Sequence, residues 1–301
     1  MSLALRAFAA DELSTGVRPE IVAAARIVGE RLGAVAVLFY GSVLRTGDLN
    51  GLLDFYVLTD RLPHRGLRGL ASRLLWPDIS FEEVRIGPRR LRAKVATMPL
   101  QTFRRAASGK SIDTTIWTRF VQPSALVWSR GTAAQPVIDA IASAAVTAAR
   151  FAAVLGPMAG APRSYWKALF RETYETELRV EKPGREEQIL DFDPRRYDAL
   201  LRLAWDAGGI DYHDGGSELR PVISHRACRQ ITQAWLIRQH WGRALNIARL
   251  VKTAFLLEGA ARYAVWKIQR HTGIRIKLTP WGEHHPLLAA PGLLWQVWRA
   301  R

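Results

Sequence analysis

The stretch Val35-Ala36-Val37-Leu38-Phe39-Tyr40-Gly41-Ser42-Val43, followed by Leu52-Leu53-Asp54-Phe55-Tyr56-Val57-Leu58, decides the fold. Val35 to Phe39 are apolar and β-inclined, as a buried strand should be. Gly41 permits a sharp turn and close approach of the backbone to a ligand. Ser42 adds a hydroxyl and a backbone N–H suited to a phosphate. Asp54 then sits inside a second apolar strand, where a carboxylate without a partner is costly. A bound metal ion would remove that cost. The plainer alternative is an ordinary β-turn-β unit with Asp54 at a strand edge.

Working outward, Pro19 to Leu32 reads as a helix, with Pro19 in the first turn and Ile21, Ala24, Ala25, Val28 and Leu32 on one face. Helix, strand, Gly-Ser turn and acid-bearing strand resemble the core of the nucleotidyltransferase superfamily. That superfamily usually carries a second acid two residues on, where this chain has Tyr56. The connection Leu44 to Gly51 holds Arg45, which either reaches a triphosphate or is a solvated loop residue. Asp60, just past the second strand, reads as a helix cap, a loop acid or a second metal ligand. Gly66 to Trp76 is an amphipathic helix. Phe81 to Ile86 and Leu91 to Thr97 form a strand pair around Gly87-Pro88-Arg89-Arg90. The period of two puts Arg92 and Lys94 on one face. Facing a carboxylate strand, they would suit a triphosphate–metal site. On an edge strand they would instead block aggregation. A short basic helix, Pro99 to Ala107, precedes Ile112 to Phe120 and a strand at Ala125 to Trp128.

The chain has 301 residues, 49% of them apolar, and a net charge of +16. Such an excess points to a polyanionic partner: nucleic acid, an anionic membrane, or nucleotide and phospholipid substrates. No nucleic-acid recognition module is evident, so no nucleic-acid partner is expected. A single cysteine, Cys228, excludes a disulfide framework. Apolar runs are broken by charge before about 18–20 residues, so no membrane span is expected. Met1 to Gly16 lacks the apolar region of a secretory signal.

Composition shifts near Gly131 from mixed α and β to almost wholly helical. Pro136 to Leu155 is Ala-rich and apolar nearly all round, as a buried helix is. Ser164 to Val180 is a second helix carrying Tyr174, Glu177 and Arg179; the spacing of three puts Tyr174 and Glu177 on one face. Pro194 to Trp205 is amphipathic, with Tyr197, Leu200, Leu201 and Ala204 inward. Ala244 to Gln269 alternates apolar and basic residues, and suits either core packing or a membrane surface. The tail, with Trp295, Trp298, Arg299 and Arg301, has the aromatic and basic residues of an interfacial anchor. The expected fold is α+β: a nucleotidyltransferase-like mixed β-sheet core with flanking helices over residues 1–131, a helical domain over 132–270 completing a cleft, and an amphipathic C-terminal tail over 271–301.

Taken together, the pieces resemble the mitochondrial-type phosphatidate cytidylyltransferases, or translocator assembly and maintenance proteins. Those carry Tyr-Gly-Ser-Gly and then Leu-Asp-Phe-Val-Phe; this chain has Tyr40-Gly41-Ser42-Val43 and Leu53-Asp54-Phe55-Tyr56-Val57. That family also has one acid on the second strand, with another shortly after it, matched by Asp60. Thr118-Arg119-Phe120-Val121-Gln122-Pro123 resembles its Gly-Arg-Leu-x-Lys-Pro stretch. Tyr174-Glu175-Thr176-Glu177-Leu178-Arg179 resembles its Tyr-x-Gly-Asp-x-Arg. Val43, Gln122 and Glu177 depart from the family residues.

The resemblance implies transfer of CMP from CTP to phosphatidate, with release of pyrophosphate, in phospholipid synthesis. It implies Mg²⁺ or another divalent cation held by Asp54 with Asp60 or Glu177. Tyr40, Gly41, Ser42, Arg45 and Arg92 would contact the nucleotide; Lys94 and Arg119 would act in catalysis; Tyr174, Glu177 and Arg179 would face the acceptor phosphate. It places the protein in the cytoplasm, peripheral to the inner membrane, or on the matrix side in a mitochondrion. The alternatives are a nucleotidyltransferase of the same superfamily with another phosphate acceptor, and an inactive basic binding protein.

Overall fold

A computed structural model describes residues 2–61, 66–177 and 184–256. In chain order the elements are α1 (Leu3–Leu13), α2 (Pro19–Arg31), β1 (Ala34–Tyr40), α3 (Ser42–Thr46), β2 (Leu53–Thr59), α4 (Gly66–Leu74), β3 (Asp78–Ile86), β4 (Arg89–Pro99), α5 (Leu100–Ala107), α6 (Thr115–Phe120), β5 (Ser124–Ser129), α7 (Ala134–Leu155), α8 (Pro162–Thr176), α9 (Arg185–Leu190), α10 (Pro194–Gly208), β6 (Asp211–Asp214), β7 (Leu219–Val222) and α11 (His225–Leu256). Five strands form one mixed sheet in the order β3-β4-β2-β1-β5, and β6 and β7 form a separate hairpin. Within the larger sheet only β2 and β4 run parallel. The architecture is α+β, with helices on both faces of the sheet.

The alternation of side chains along each strand explains the two cores. Phe39, Phe55, Val57 and Val95 point to one face, beneath α2 with its Ile21, Ala24, Ala25 and Val28. Leu38, Tyr40, Tyr56, Leu58, Ala96 and Met98 point to the other, which the later helices cover. That second core is continuous from the sheet through Phe103 and Phe120 to Trp166, Tyr197 and Trp205. Burying a large apolar side chain contributes about 1.5–3 kcal/mol. The aromatic packing, with Phe103 and Phe120 rings at 4.9 Å and edge to face, therefore anchors α5 and α6 to the sheet.

α7 is the hub of this layer, packed by α1, α5, α6, α8 and α10. Gly131–Leu155 is long and apolar enough to cross a membrane, but 67% of its most apolar window is buried inside the fold. Its apolar circumference is accounted for by helix neighbours. α1, with Leu5, Ala9 and Leu13 buried, was not apparent in the sequence, and it packs on α7, α10 and β5. α11 begins at His225, well before the helix expected at Ala244. The expected continuation to Gln269, the tail with Trp295, Trp298 and Arg299, and Arg179 all lie outside the described residues.

Candidate active site

The sheet register lines up four polar residues at one end: Lys94 opposite Asp54, Asp54 opposite Tyr40, and Tyr40 opposite Ser124. Paired residues share a face, so these four look toward the helical layer. Helices α6 and α8 bring Arg119 and Tyr174 against them. The result is a cavity of about 140 Å³ lined by Tyr40, Gly41, Ser42, Arg45, Asp54, Arg119, Gln122, Pro123, Tyr174 and Ile189.

Gly41 sets its geometry. Its φ of 93° lies where side chains are strained, and an added Cβ would lie 2.6 Å from Asp54 Oδ2. The backbone thus passes directly over the carboxylate and enters the single turn of α3. Ser42 faces the cavity from that turn, and Arg45 follows one turn later. Val43, which departs from the family turn, points the other way. It is 3% exposed, sits in the core under α2, and lies so close to Gly51 that a Cβ there would meet it at 2.7 Å. It fastens the turn and leaves the cavity open.

Asp54 is half-buried in a cationic setting. Burial pushes its carboxyl above its ordinary range, and the charges of Lys94, Arg119 and Arg45 oppose that without cancelling it. Arg119 lies against the ring of Tyr40, 5.0 Å from guanidinium carbon to centroid, and its buried Nε has no hydrogen-bond partner. Burial disfavours the Arg119 charge, but Tyr40, Tyr56, Glu177 and Asp54 outweigh it and hold the guanidinium firmly protonated. Tyr40 in turn packs on Tyr56 and Phe120, at 5.5 Å and 5.9 Å between centroids. The Tyr56 side chain thus supports the cavity wall from behind Tyr40.

The structure sorts the remaining candidates. Tyr174 lines the cavity and is buried. Glu177 is buried at the end of α8, where its Oε1 accepts from Thr114 Oγ1 at 2.7 Å; it acts electrostatically on Arg119 and does not line the cavity. Lys94 stands beside Asp54 on the neighbouring strand and does not line the cavity. Arg92 lies one pair further out, exposed and opposite Glu83, and is not a cavity residue. Asp60 corrects the expectation of a shared ion. It follows the far end of β2, six residues beyond Asp54, and at about 3.3 Å per residue the two acids are roughly 20 Å apart. Asp60 instead borders an open basic cleft with Arg61, Arg104, Arg105 and Arg249.

The donor set limits what an ion can do here. Among the described residues, no three Asp, Glu, His or Cys side chains converge on one point. Among the described residues Asp54 is the sole carboxylate lining the cavity, amid positive charge. Mg²⁺ keeps several waters and takes one or two carboxylates plus substrate phosphates. The site fits an ion that arrives with a polyphosphate, held by Asp54, and does not fit a resident ion in a protein cage.

No protein-family model and no curated protein matches the chain. A solved structure similar to it is a nucleotidyltransferase-like protein from Exiguobacterium sibiricum 255-15. The likeness is 11% identical, covers 92% of this chain and 89% of that chain, and has a TM-score of 0.28. It is too slight to carry an argument, and the reading of the site rests on its own residues.

Proposed function

We propose that the protein is a nucleotidyltransferase that transfers CMP from CTP to the phosphate of phosphatidate, releasing pyrophosphate. The observation that carries this reading is the cavity in which Gly41 crosses over Asp54 while Arg45 and Arg119 line it and Lys94 adds its charge from the neighbouring strand. One acid among three cations suits a polyanion accompanied by a cation. The choice of CTP and phosphatidate comes from the resemblance of Tyr40-Gly41-Ser42, Leu53-Asp54-Phe55, Arg119 and Tyr174 to that family's motifs.

The acceptor phosphate is already anionic at neutral pH, so no strong base is required. Its oxygen forms a bond to the α-phosphorus of CTP as the bond to the bridging oxygen breaks, and pyrophosphate leaves with that electron pair. Positioning and neutralisation of charge carry most of the rate in such a transfer. Ser42 and Arg45, which line the cavity, would hold the outer phosphates. Arg119, fixed against Tyr40, would meet charge at the reacting phosphorus. Mg²⁺, when bound with the nucleotide at Asp54, would neutralise phosphate oxygens. Tyr174 also lines the cavity and would face the acceptor head group.

The test is incubation of the protein with α-labelled CTP, Mg²⁺ and phosphatidate micelles. Labelled CDP-diacylglycerol and an equal yield of pyrophosphate are expected. Labelled product only with a different phosphate acceptor would move the assignment within the superfamily. No transfer to any acceptor, with CTP unbound, would overturn it.

A further inference from the structure

A far larger concavity than the Asp54 cavity lies at the other end of β2. The cleft bordered by Asp60 encloses about 1570 Å³, more than the roughly 300–1,000 Å³ of a small-ligand pocket. Seven cationic side chains and three carboxylates line it. Two of those carboxylates are committed: Asp113 pairs with Arg249, and Asp139 pairs with Arg6 at 2.6 Å. Arg61, Arg73, Arg104, Arg105 and Lys110 are exposed, and among the described residues none of the five is in an ion pair. They lie just past β2, on α4, on α5 and in the loop after α5. One phosphate cannot meet cations carried by four segments; an extended chain of phosphates can.

Two largely buried guanidiniums line the same cleft. Arg238 is 8% exposed, and its Nε has no hydrogen-bond partner; the same holds for Nε and Nη2 of Arg249 and for the hydroxyl of Ser111. A guanidinium can only donate, so these nitrogens call for acceptors. Burial holds the Arg238 guanidinium below its ordinary range, and Asp113 opposes this without cancelling it. An anion in the cleft would offset that cost. Exposed Leu74 and Ile112, with half-buried Trp76, add apolar surface among the cations. Phosphates alternating with flat apolar bases match this mixture. A bilayer matches it less well, because its phosphates lie in a plane whereas these cations line a concavity.

We infer that this cleft binds single-stranded nucleic acid, gripping the phosphate backbone with Arg61, Arg73, Arg104, Arg105 and Lys110. Binding of this kind is sequence-independent and needs no recognition module. It runs against the expectation of no nucleic-acid partner, which was drawn from the lack of such a module. Asp60, at the border of the cleft, is roughly 20 Å from Asp54 along β2. The inference does not rest on the reading of the Asp54 cavity.

The test titrates the full-length protein into a fluorescent oligothymidylate of about 20 nucleotides, longer than a typical single-strand site, and follows anisotropy as salt is raised. Binding is expected, with log K falling against log salt at a slope of about −3, as roughly four or five phosphate contacts on a single strand require. Arg104→Ala/Arg105→Ala should weaken binding about tenfold and flatten the slope by about 1.4. Arg73→Ala/Lys110→Ala should do the same from two other segments, and it decides the matter if the first variant does not fold. Arg26→Ala/Arg229→Ala removes two exposed cations outside the cleft. It should leave the affinity within about twofold. No binding at about 0.1 M salt, or equal losses in all three variants, overturns the inference. Unchanged strand binding in the cleft variants overturns it as well, and loss of their binding to phosphatidylglycerol vesicles would then make the cleft a membrane surface.

Discussion

The two ends of strand β2 each carry an aspartate near several arginines, yet they differ in how those charges are committed. At the far end Asp60 is exposed, and two of the cations bordering its cleft, Arg238 and Arg249, are held by structure. Arg249 pairs with buried Asp113 and stacks on Trp76 at 4.6 Å. Arg238 donates to the carbonyls of Ala234, Gly109 and Ser111. Nearby, Lys252 bonds Asp78 at 2.7 Å and the carbonyl of Leu75 at 2.6 Å. These contacts lash α11 to the sheet. At the near end the one acid that lines the cavity among the described residues sits beneath a glycine of positive φ, with Arg45 and Arg119 lining the same cavity. Both ends leave buried guanidinium nitrogens without a partner, Arg119 Nε at the near end and nitrogens of Arg238 and Arg249 at the far end, so what separates them is the carboxylate that the near end holds against a glycine backbone among cations.

The largest expected effect lies at the near end. Asp54→Asn should lower CMP transfer about a thousandfold, the upper range for losing one preorganised electrostatic group. Asp60→Asn should leave the rate unchanged, as steady-state kinetics on the pair would establish. Equal losses would erase the distinction between the ends. The far end should answer in stability instead. Asp113→Ala leaves Arg249 buried without its partner, and should cost about 3 kcal/mol in urea unfolding with kcat nearly unchanged.

Gly41→Ala tests the crossing over Asp54. The new Cβ meets Oδ2 at 2.6 Å in a backbone with φ of 93°. A cost of about 2 kcal/mol is expected, together with loss of transfer, whereas the same change at Gly47, also at positive φ but with open space around it, should cost less. The smallest effect is in pH dependence. The folded chain holds the Asp54 carboxyl above its ordinary 3.8, so between that value and the folded one the native state binds the proton that the unfolded state has lost. Stability should therefore fall as pH rises through that window, and Asp54→Asn should remove the fall. Transfer, which needs the ionised carboxylate, should rise with pH over the same interval.

What could be read from the sequence, and what could not, follows from the range of the interactions involved. β1, the Gly41 turn and β2 were legible because buried strands have unbroken apolar runs and a carboxylate inside one stands out. The bounds of α2, β3, β4 and α10 came within a few residues for the same reason of period. Parity put Arg92 and Lys94 on one face, but only the register with β2 shows that Lys94 is the one beside Asp54. Asp60 looked like a partner because it is near in sequence, though an extended strand separates neighbours quickly. α1 escaped because apolar residues run nearly all round it, with Leu3 exposed while Leu5, Ala9 and Leu13 are buried, so no period marks its inner face. Tyr197 was legible as an inward residue, but the Glu12–Arg196 pair that fixes it joins residues 184 positions apart. No local signal marks such a contact.

The most direct measurement of the central claim is a crystal structure with a non-hydrolysable CTP analogue and Mn²⁺, located by its anomalous signal. The account predicts the triphosphate between Ser42, Arg45 and Arg119, with one manganese on the Asp54 carboxylate. Manganese and triphosphate in the cleft bordered by Asp60, Arg104 and Arg105, with the Asp54 cavity empty, would contradict it.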